Sequence, residues 1–195
     1  MSFFFDPLKP KSFDIVHVDF PWPWETWADT GRSKSPQYDC MSMAEIAQCE
    51  LEQLLAPCGV VFAWCTWPLI GPQHMILENS FGLDVKTGGS WSKRTKTGKL
   101  RWGPGHIIRT VNEPFLIACR KGHQLRGRDV KNLIETFDHA EVPGIARQNS
   151  RKPDEVYDLI RKLTPGWRRC DLFARESRDG FTTWGREKTK FDKKK

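Results

Sequence analysis

The feature that most constrains this chain is a short apolar run that ends in an acid and meets a cluster of prolines and rings. It reads "FDIVHVDFPWPWETW" and occupies residues 13–27. "FDIVHVD" (13–19) has the length and β-prone content of a buried strand. "VVFAW" (60–64) is a second continuous apolar run. Strands apolar on both sides need a cover on both faces, which is the condition of a parallel sheet flanked by helices. Helical patterns lie between such runs, so the expected class is α/β, with a mainly parallel sheet and helices on both faces. In such sheets ligands bind outside the carboxyl ends of the strands. Asp19 ends its strand, and its carboxylate is expected to face that crevice. Asp171 to Arg175 close another strand the same way. Strand and turn chemistry alone leaves two readings of Asp19 and its neighbours: a turn cap with packed rings, or a ligand site.

Other elements follow from local signals. "SMAEIAQCELEQLLAPCG" predicts one helix, opened by a Ser42–Glu45 capping box and stopped by Pro57 and Gly59. "PQHMILENS" predicts a short helix from Pro72 to near Gly82, and "LDVKTGGSW" (83–91) a weaker strand. "PFLIAC" (114–119) and "RRCDLFAR" (168–175) read as strands. "KPDEVYDLIRKLTPG" predicts a second helix, with Pro153, Asp154 and Glu155 in its first turn and Arg161 and Lys162 in its last. Residues 20–41 and 92–110 read as long loops, and long loops in compact domains usually carry function. Residues 120–140 fit no element. A single domain over 1–187 and a solvated basic tail over 188–195 are expected.

Charge narrows the partner. The net charge of +7 is uneven. Residues 1–91 hold 5 basic and 11 acidic side chains, net −6, whereas residues 92–131 hold 11 basic and 2 acidic, net +9. That concentration favours a polyanion over a uniformly solvated surface. In 92–110 the cations Lys93, Arg94, Lys96, Lys99, Arg101 and Arg109 are interleaved with Trp102, a mix suited to phosphates plus a stacking ring. The six cysteines (40, 49, 58, 65, 119 and 170) contain no C-x-x-C pair, so metal-ligand spacing is missing and reduced core thiols are expected. No apolar run approaches a membrane span, and "MSFFFDPLKPK" does not read as a secretory signal.

The motifs now add a resemblance. "DFPW" (19–22) is similar to the D-P-P-W signature of adenine-N6 methyltransferases that use S-adenosylmethionine. The chain resembles the permuted family typified by the messenger-RNA adenosine methyltransferase catalytic subunit, with bacterial and phage relatives. The likeness runs over roughly 13 to 187. It continues through "YDCMSMAEI", "GVVFAWCTW", "GGSWSK", "IIRTVNEPFLIACRKG" and "RQNSRKPDEVYDLIRKLTPG" to "DLFARESRDGFTTWGRE". The four-residue signature is weak by itself; the ordered series is specific. The resemblance implies a Rossmann-like methyltransferase fold with permuted motif order. It also implies S-adenosylmethionine as cofactor, no metal, and a cytoplasmic setting in a bacterial or phage-infected cell.

The implied chemistry explains the signature. The adenine amino group is flat, and two acceptors aimed at its hydrogens would make it a better nucleophile. Asp19 would be one acceptor and a carbonyl of Phe20–Pro21 the other. Pro21 fixes φ. Trp22 would stack on the base, a contact worth about 1–3 kcal/mol. In duplex DNA the target base would be flipped out. By the same resemblance Asp19, Asn112, Ser150, Lys152, Leu172, Phe173 and Arg175 would lie at the cofactor, with Arg186 and Glu187 at its ribose hydroxyls. Three places depart from the family pattern: Phe20 replaces the first Pro, Arg186–Glu187 replaces an Asn-Gln pair, and Asn112 stands where the eukaryotic relative has a Lys near the methionine carboxylate. The expected substrate is DNA, with RNA as the alternative, and a homodimer or a partner subunit stays open. Two rivals carry no transfer activity: an inactive nucleic-acid-binding subunit of a methyltransferase complex, and a plain DNA-binding accessory protein. Pro57-Cys58 resembles the nucleophile pair of cytosine-C5 methyltransferases but reads as structural. His106 has no partner at metal spacing.

Overall fold

The computed structural model of the chain describes residues 3–23, 39–95, 97–103, 107–137 and 152–192. Among them are seven strands: β1 (Phe13–Asp19), β2 (Leu55–Trp64), β3 (Asp84–Arg94), β4 (Asn112–Cys119), β5 (Leu133–Phe137), β6 (Arg169–Leu172) and β7 (Thr182–Trp184). They form one sheet in the order β5-β3-β4-β2-β1-β6-β7. β1 pairs in parallel with β2 and β6, β6 with β7, and β3 with β5. β4 alone is reversed, running antiparallel to both β2 and β3. The mainly parallel α/β sheet expected from the sequence is therefore present. The reversed strand has a functional consequence: its first residues, not its last, arrive at the carboxyl edge of the others.

Both faces of the sheet are covered. On one face Val16, Val18, Val61 and Ala63 pack against Ile46 of α1 (Met43–Ala47) and against Leu77 and Phe81, which follow α2 (Ile70–Met75). On the other face Ile15, Val60, Phe62 and Trp64 pack against Val156, Tyr157 and Ile160 of α3 (Asp154–Leu163). Adjacent strand residues thus go to opposite cores. Burying one such side chain contributes about 1.5–3 kcal/mol, more than the roughly 1 kcal/mol span of intrinsic strand preference. Burial, not propensity, fixes the register of β1.

The predicted long helix is shorter than expected. The Ser42–Glu45 capping box forms: the Ser42 N–H donates to Glu45 Oε2 at 2.7 Å, and the Glu45 N–H donates to Ser42 Oγ at 3.2 Å. But α1 stops at Ala47, Glu50 turns left-handed (φ 58°), and Leu51–Leu54 form a 3-10 turn. Ile46, Cys49, Leu51, Leu54 and Leu55 are all fully buried. Their spacing does not fit one stripe of a straight helix, and breaking the chain lets all five point inward. β2 also begins at Leu55, earlier than expected, and carries Pro57 and Gly59 in a bulge between the Phe13↔Leu55 and Ile15↔Val60 pairs. A Cβ at Gly59 would lie 2.8 Å from Leu55 Cβ, so the bulge needs glycine there.

The other differences are at edges. The second expected helix starts at Ile70 rather than Pro72 and ends in a π-turn, Ile76–Ser80. β3 runs to Arg94, into the expected loop. β5 lies in the stretch that fitted no element, and β7 in a stretch with no strand signal. In the basic tail residues 188–190 are exposed as expected, but the next two are tied in: the Phe191 N–H donates to Arg175 O at 3.1 Å, and Asp192 accepts from the Ser177 N–H at 2.7 Å. Phe191 supplies a ring under the Arg175 guanidinium, 4.9 Å away. At the other end Phe5 is fully buried and meets Trp184 edge-on at 4.9 Å. No described helix is long and apolar enough to cross a membrane.

Candidate active site

β1 delivers Asp19 to the carboxyl edge of the sheet, with its side chain 30 % exposed. β4, because it is reversed, brings Glu113 to the same edge, where it is 31 % exposed. Between them lies Lys152, just ahead of α3 and only 7 % exposed. Its Nζ is 3.0 Å from Asp19 Oδ2, contacts Glu113 Oε1, and sits 5.1 Å above the Trp64 ring. Burial pulls the Lys152 pKa down, but Asp19 and Glu113 together outweigh it, and the ammonium is held charged. Burial pushes the Asp19 carboxyl up from its ordinary range; Lys152 opposes that shift and Glu113 adds to it. Glu113 was not singled out from the sequence. Its only signal was an acid at a strand start, and that places it here only once the strand is known to be reversed.

Beneath the lysine runs a buried polar chain. The Trp64 indole N–H donates to His17 Nε2 at 2.7 Å. His17 Nε2 is therefore an acceptor, and the ring proton sits on Nδ1, donating to Asp171 Oδ1 at 2.7 Å. Asp171 Oδ2 accepts from the Tyr157 hydroxyl at 3.0 Å. His17 and Asp171 are 1 % and 3 % exposed. The chain ties β1, β2, β6 and α3 together directly below Asp19 and sets the tilt of the Trp64 ring that faces Lys152. His17→Leu leaves the Trp64 N–H and one Asp171 oxygen buried without partners. Each orphan costs about 1–3 kcal/mol, so a loss of roughly 2–6 kcal/mol is expected in chemical denaturation.

A narrow crevice, with room of about 40 Å³, opens beside these groups. Asp19, Lys152, Leu172, Phe173 and Arg175 all line it, together with Glu176, Arg178 and Phe191. Phe173 takes a left-handed turn (φ 55°) as β6 ends. Gly185 lets the returning chain lie against that turn, since a Cβ there would meet Ala174 O at 2.9 Å.

Other residues predicted from the sequence fall elsewhere. Asn112 is occupied as a bridge, donating to Ser90 Oγ at 3.2 Å and accepting the Trp67 indole N–H at 2.9 Å. Glu187 holds Arg175 (2.9 Å) and Lys190 (2.5 Å), and the Lys190 hydrogen bond, with Arg175, keeps its carboxyl below the usual range. Arg186 is 85 % exposed and pairs with Asp39. Ser150, Lys96 and His106 lie outside the described residues.

The signature itself also differs from expectation. Trp22 is 6 % exposed and Phe20 3 %, and the two rings meet edge-on at 5.5 Å in the core. Neither ring faces the crevice, because the chain turns back at once: the Trp22 N–H donates to Phe20 O at 2.8 Å, and the Met41 N–H to Pro21 O at 2.8 Å. Each carbonyl keeps a second lone pair. Phe20, in place of a proline, fills space beside Phe173 at 5.8 Å and Phe81 at 6.4 Å. The exposed ring beyond the end of β2 is Trp67, at 48 %.

Of the basic segment, Lys99, Arg101, Trp102 and Arg109 are exposed. Lys93 lies over the Trp91 ring at 4.1 Å, and Arg94 is bound to Glu135 at 2.6 Å. Arg94 therefore fastens the segment to β5. The thiols of Cys49 and Cys65 are pushed up to about 12 and that of Cys119 to about 11, in each case by burial, as befits core residues. Among the described residues no group of three His, Cys, Asp or Glu side chains could hold a metal ion.

A mainly parallel α/β sheet with an acid, a buried lysine and a crevice at its carboxyl edge belongs to the class of Rossmann-like folds, in which ligands bind outside the carboxyl ends of the strands. Within that class the sequence comparison is specific: the MT-A70 family matches over residues 13–187, and the chain belongs to it. It is 25% identical to the Type II methyltransferase M.MunI of Mycoplasma sp, over 94% of this chain and 81% of that protein. It is 26% identical to the N(6)-adenine-specific methyltransferase METTL4 of Homo sapiens, over 93% of this chain and 38% of that protein. It is 27% identical to the N6-methyladenosine RNA methyltransferase MTA1 of Pyricularia oryzae, over 89% of this chain and 46% of that protein. The chain thus spans most of the first relative and less than half of the other two.

Proposed function

We propose that this chain transfers a methyl group from S-adenosylmethionine to the N6 amino group of adenine in DNA. The observation that carries the reading is Asp19, held at the sheet's carboxyl edge by Lys152 with part of its surface open to the crevice. The preference for DNA over RNA is supported by the match to M.MunI, the relative of which this chain covers the largest share among those compared.

The crevice suits the cofactor chemically. Cations (Lys152, Arg175) and acids (Asp19, Glu176) lie near the rings of Phe173 and Phe191, which fits a molecule with an amino-acid end and a nucleoside end. Bound there, S-adenosylmethionine would supply an electrophilic methyl on a sulfonium centre. The protein's part is to prepare the nucleophile. Asp19 accepts one N6 hydrogen through its carboxylate, and the free lone pair of the Phe20 or Pro21 carbonyl accepts the other. Lys152 opposes the upward push that burial gives the Asp19 carboxyl and fixes its direction. Acceptors already fixed in place are worth more than mobile ones, because nothing reorganises during transfer.

Trp67, rather than Trp22, is the ring that would stack on the adenine. Trp67→Ala should raise KM for the nucleic acid about tenfold and leave cofactor affinity unchanged, since stacking is worth about 1–3 kcal/mol. The function is tested by incubating the chain with methyl-labelled S-adenosylmethionine and mixed-sequence DNA or RNA. Label in DNA is the expected result. Label only in RNA would place the activity on RNA, and label in neither would contradict it.

A further inference from the structure

We propose that Ile107 and Ile108, beside a basic ribbon formed by residues 93–95 and 97–103, act as an apolar wedge that opens duplex DNA near the site. The proposal rests on the reading of the chain as a DNA adenine methyltransferase. The ribbon grows out of the site itself. Trp91 of β3 is the register partner of Glu113, and β3 leaves the sheet after Arg94, three residues later. It turns at Gly98 (φ 78°), whose N–H donates to Thr95 O at 2.9 Å. It returns through the Arg101 N–H to Lys93 O bond at 2.8 Å and the Arg94↔Leu100 bridge. Gly103 and Thr110 are joined by an antiparallel bridge, with the Gly103 N–H donating to Thr110 O at 2.7 Å. At the interstrand spacing of about 4.8 Å, β3 stands roughly 14 Å from β1 and Asp19.

What is exposed there is unusual. Ile107 is 97% exposed and Ile108 80%, beside Trp102 at 72% and Leu100 at 45%. Single exposed apolar residues need no explanation, but adjacent β-branched side chains almost wholly in water do. Their surroundings identify the cover. Lys99, Arg101 and Arg109 flank them, within residues 92–131, which carry net +9. A two-fold contact with a second copy would set these cations against themselves, whereas a nucleic-acid backbone complements them. Apolar side chains inserted at a base step unstack it, and a target adenine must leave the stack before N6 can be reached. Only a duplex imposes that cost, so the wedge should matter for duplex substrate and little for single strands.

The test compares wild type with the double variant Ile107→Ser, Ile108→Ser. Each is given S-adenosylmethionine and an oligonucleotide carrying the adenine that the wild type methylates. The oligonucleotide is offered as duplex, as single strand, and as duplex with the target mispaired. The variant should lose at least tenfold in rate on the duplex and stay within threefold on the other two. Its fluorescence rise with 2-aminopurine at the target should fall in parallel. Equal loss on all three substrates, or no loss on the duplex, would overturn the wedge. So would a wild-type dimer that becomes a monomer in the variant, which would make the ribbon a contact between copies. Failure of the underlying function shows in the wild type alone, as no transfer to any DNA, and removes the proposal with it.

Discussion

Asp19→Asn will lower kcat about a hundred- to a thousand-fold and leave S-adenosylmethionine affinity within several-fold. The substitution keeps the shape of the side chain but replaces one acceptor oxygen with a donor, and it removes the charge aimed at the amino group. Loss of a single fixed electrostatic partner costs roughly that much in enzymes that depend on one. The fold should survive, because Lys152 keeps Glu113 as a counter-charge and the buried Trp64–His17–Asp171–Tyr157 chain is untouched. KM for the nucleic acid should change little, since the lost interaction strengthens in the transition state rather than in the bound ground state. A variant that no longer folds would show that Asp19 is structural. Single-turnover methylation and calorimetric titration with the cofactor separate these outcomes.

The second large effect belongs to Lys152. Lys152→Met removes the cation that Asp19 and Glu113 share and leaves two acids in a partly desolvated crevice. Removing one partner of a fully buried pair costs about 3–5 kcal/mol; with roughly a third of each acid in water, about 2–3 kcal/mol is expected. The pH dependence has a definite sign. The Asp19 carboxyl is already raised by burial, and Lys152 is the strongest group opposing that shift. Without Lys152 it rises further, and the acid limb of kcat/KM moves to higher pH. Stability follows the same linkage. An acid raised in the folded state above its unfolded value costs stability as pH rises through that window. The deficit should therefore be present at neutral pH and shrink as Asp19 protonates on acidification. Denaturation at several pH values, together with a pH–rate profile, checks both statements. An unshifted acid limb would mean that Asp19 is not the titrating group.

Much of the frame was legible because a few residues carry strong local signals. β1, β4, β6 and α3 announce themselves through apolar runs, and α3 also through Pro153 ahead of its acidic first turn. The capping box at Ser42 and Glu45 was read correctly, yet the length of α1 was not. Whether Leu51, Leu54 and Leu55 continue a helix or turn inward depends on the core that receives them. β5 and β7 are edge strands of five and three residues, whose pairing comes from neighbours rather than from their own pattern. The crevice was half legible. Asp19 could be placed because it ends a strand. Glu113 could not, because its position follows from the reversal of β4. The aromatic cluster at 20–22 told that rings were there, but not which way they faced. Trp22 and Phe20 point into the core, and an exposed ring beyond the end of β2 is Trp67, in a segment read only as part of the family likeness.

The most direct measurement is nucleoside mass spectrometry of mixed-sequence DNA and RNA after incubation with the purified chain and S-adenosylmethionine, run in parallel with Asp19→Asn. The account predicts N6-methyladenine in the DNA digest from the wild type. It predicts at least a hundredfold less from the variant, with cofactor binding retained. No methylated adenine from a wild type that binds the cofactor, or equal product from both proteins, would contradict it.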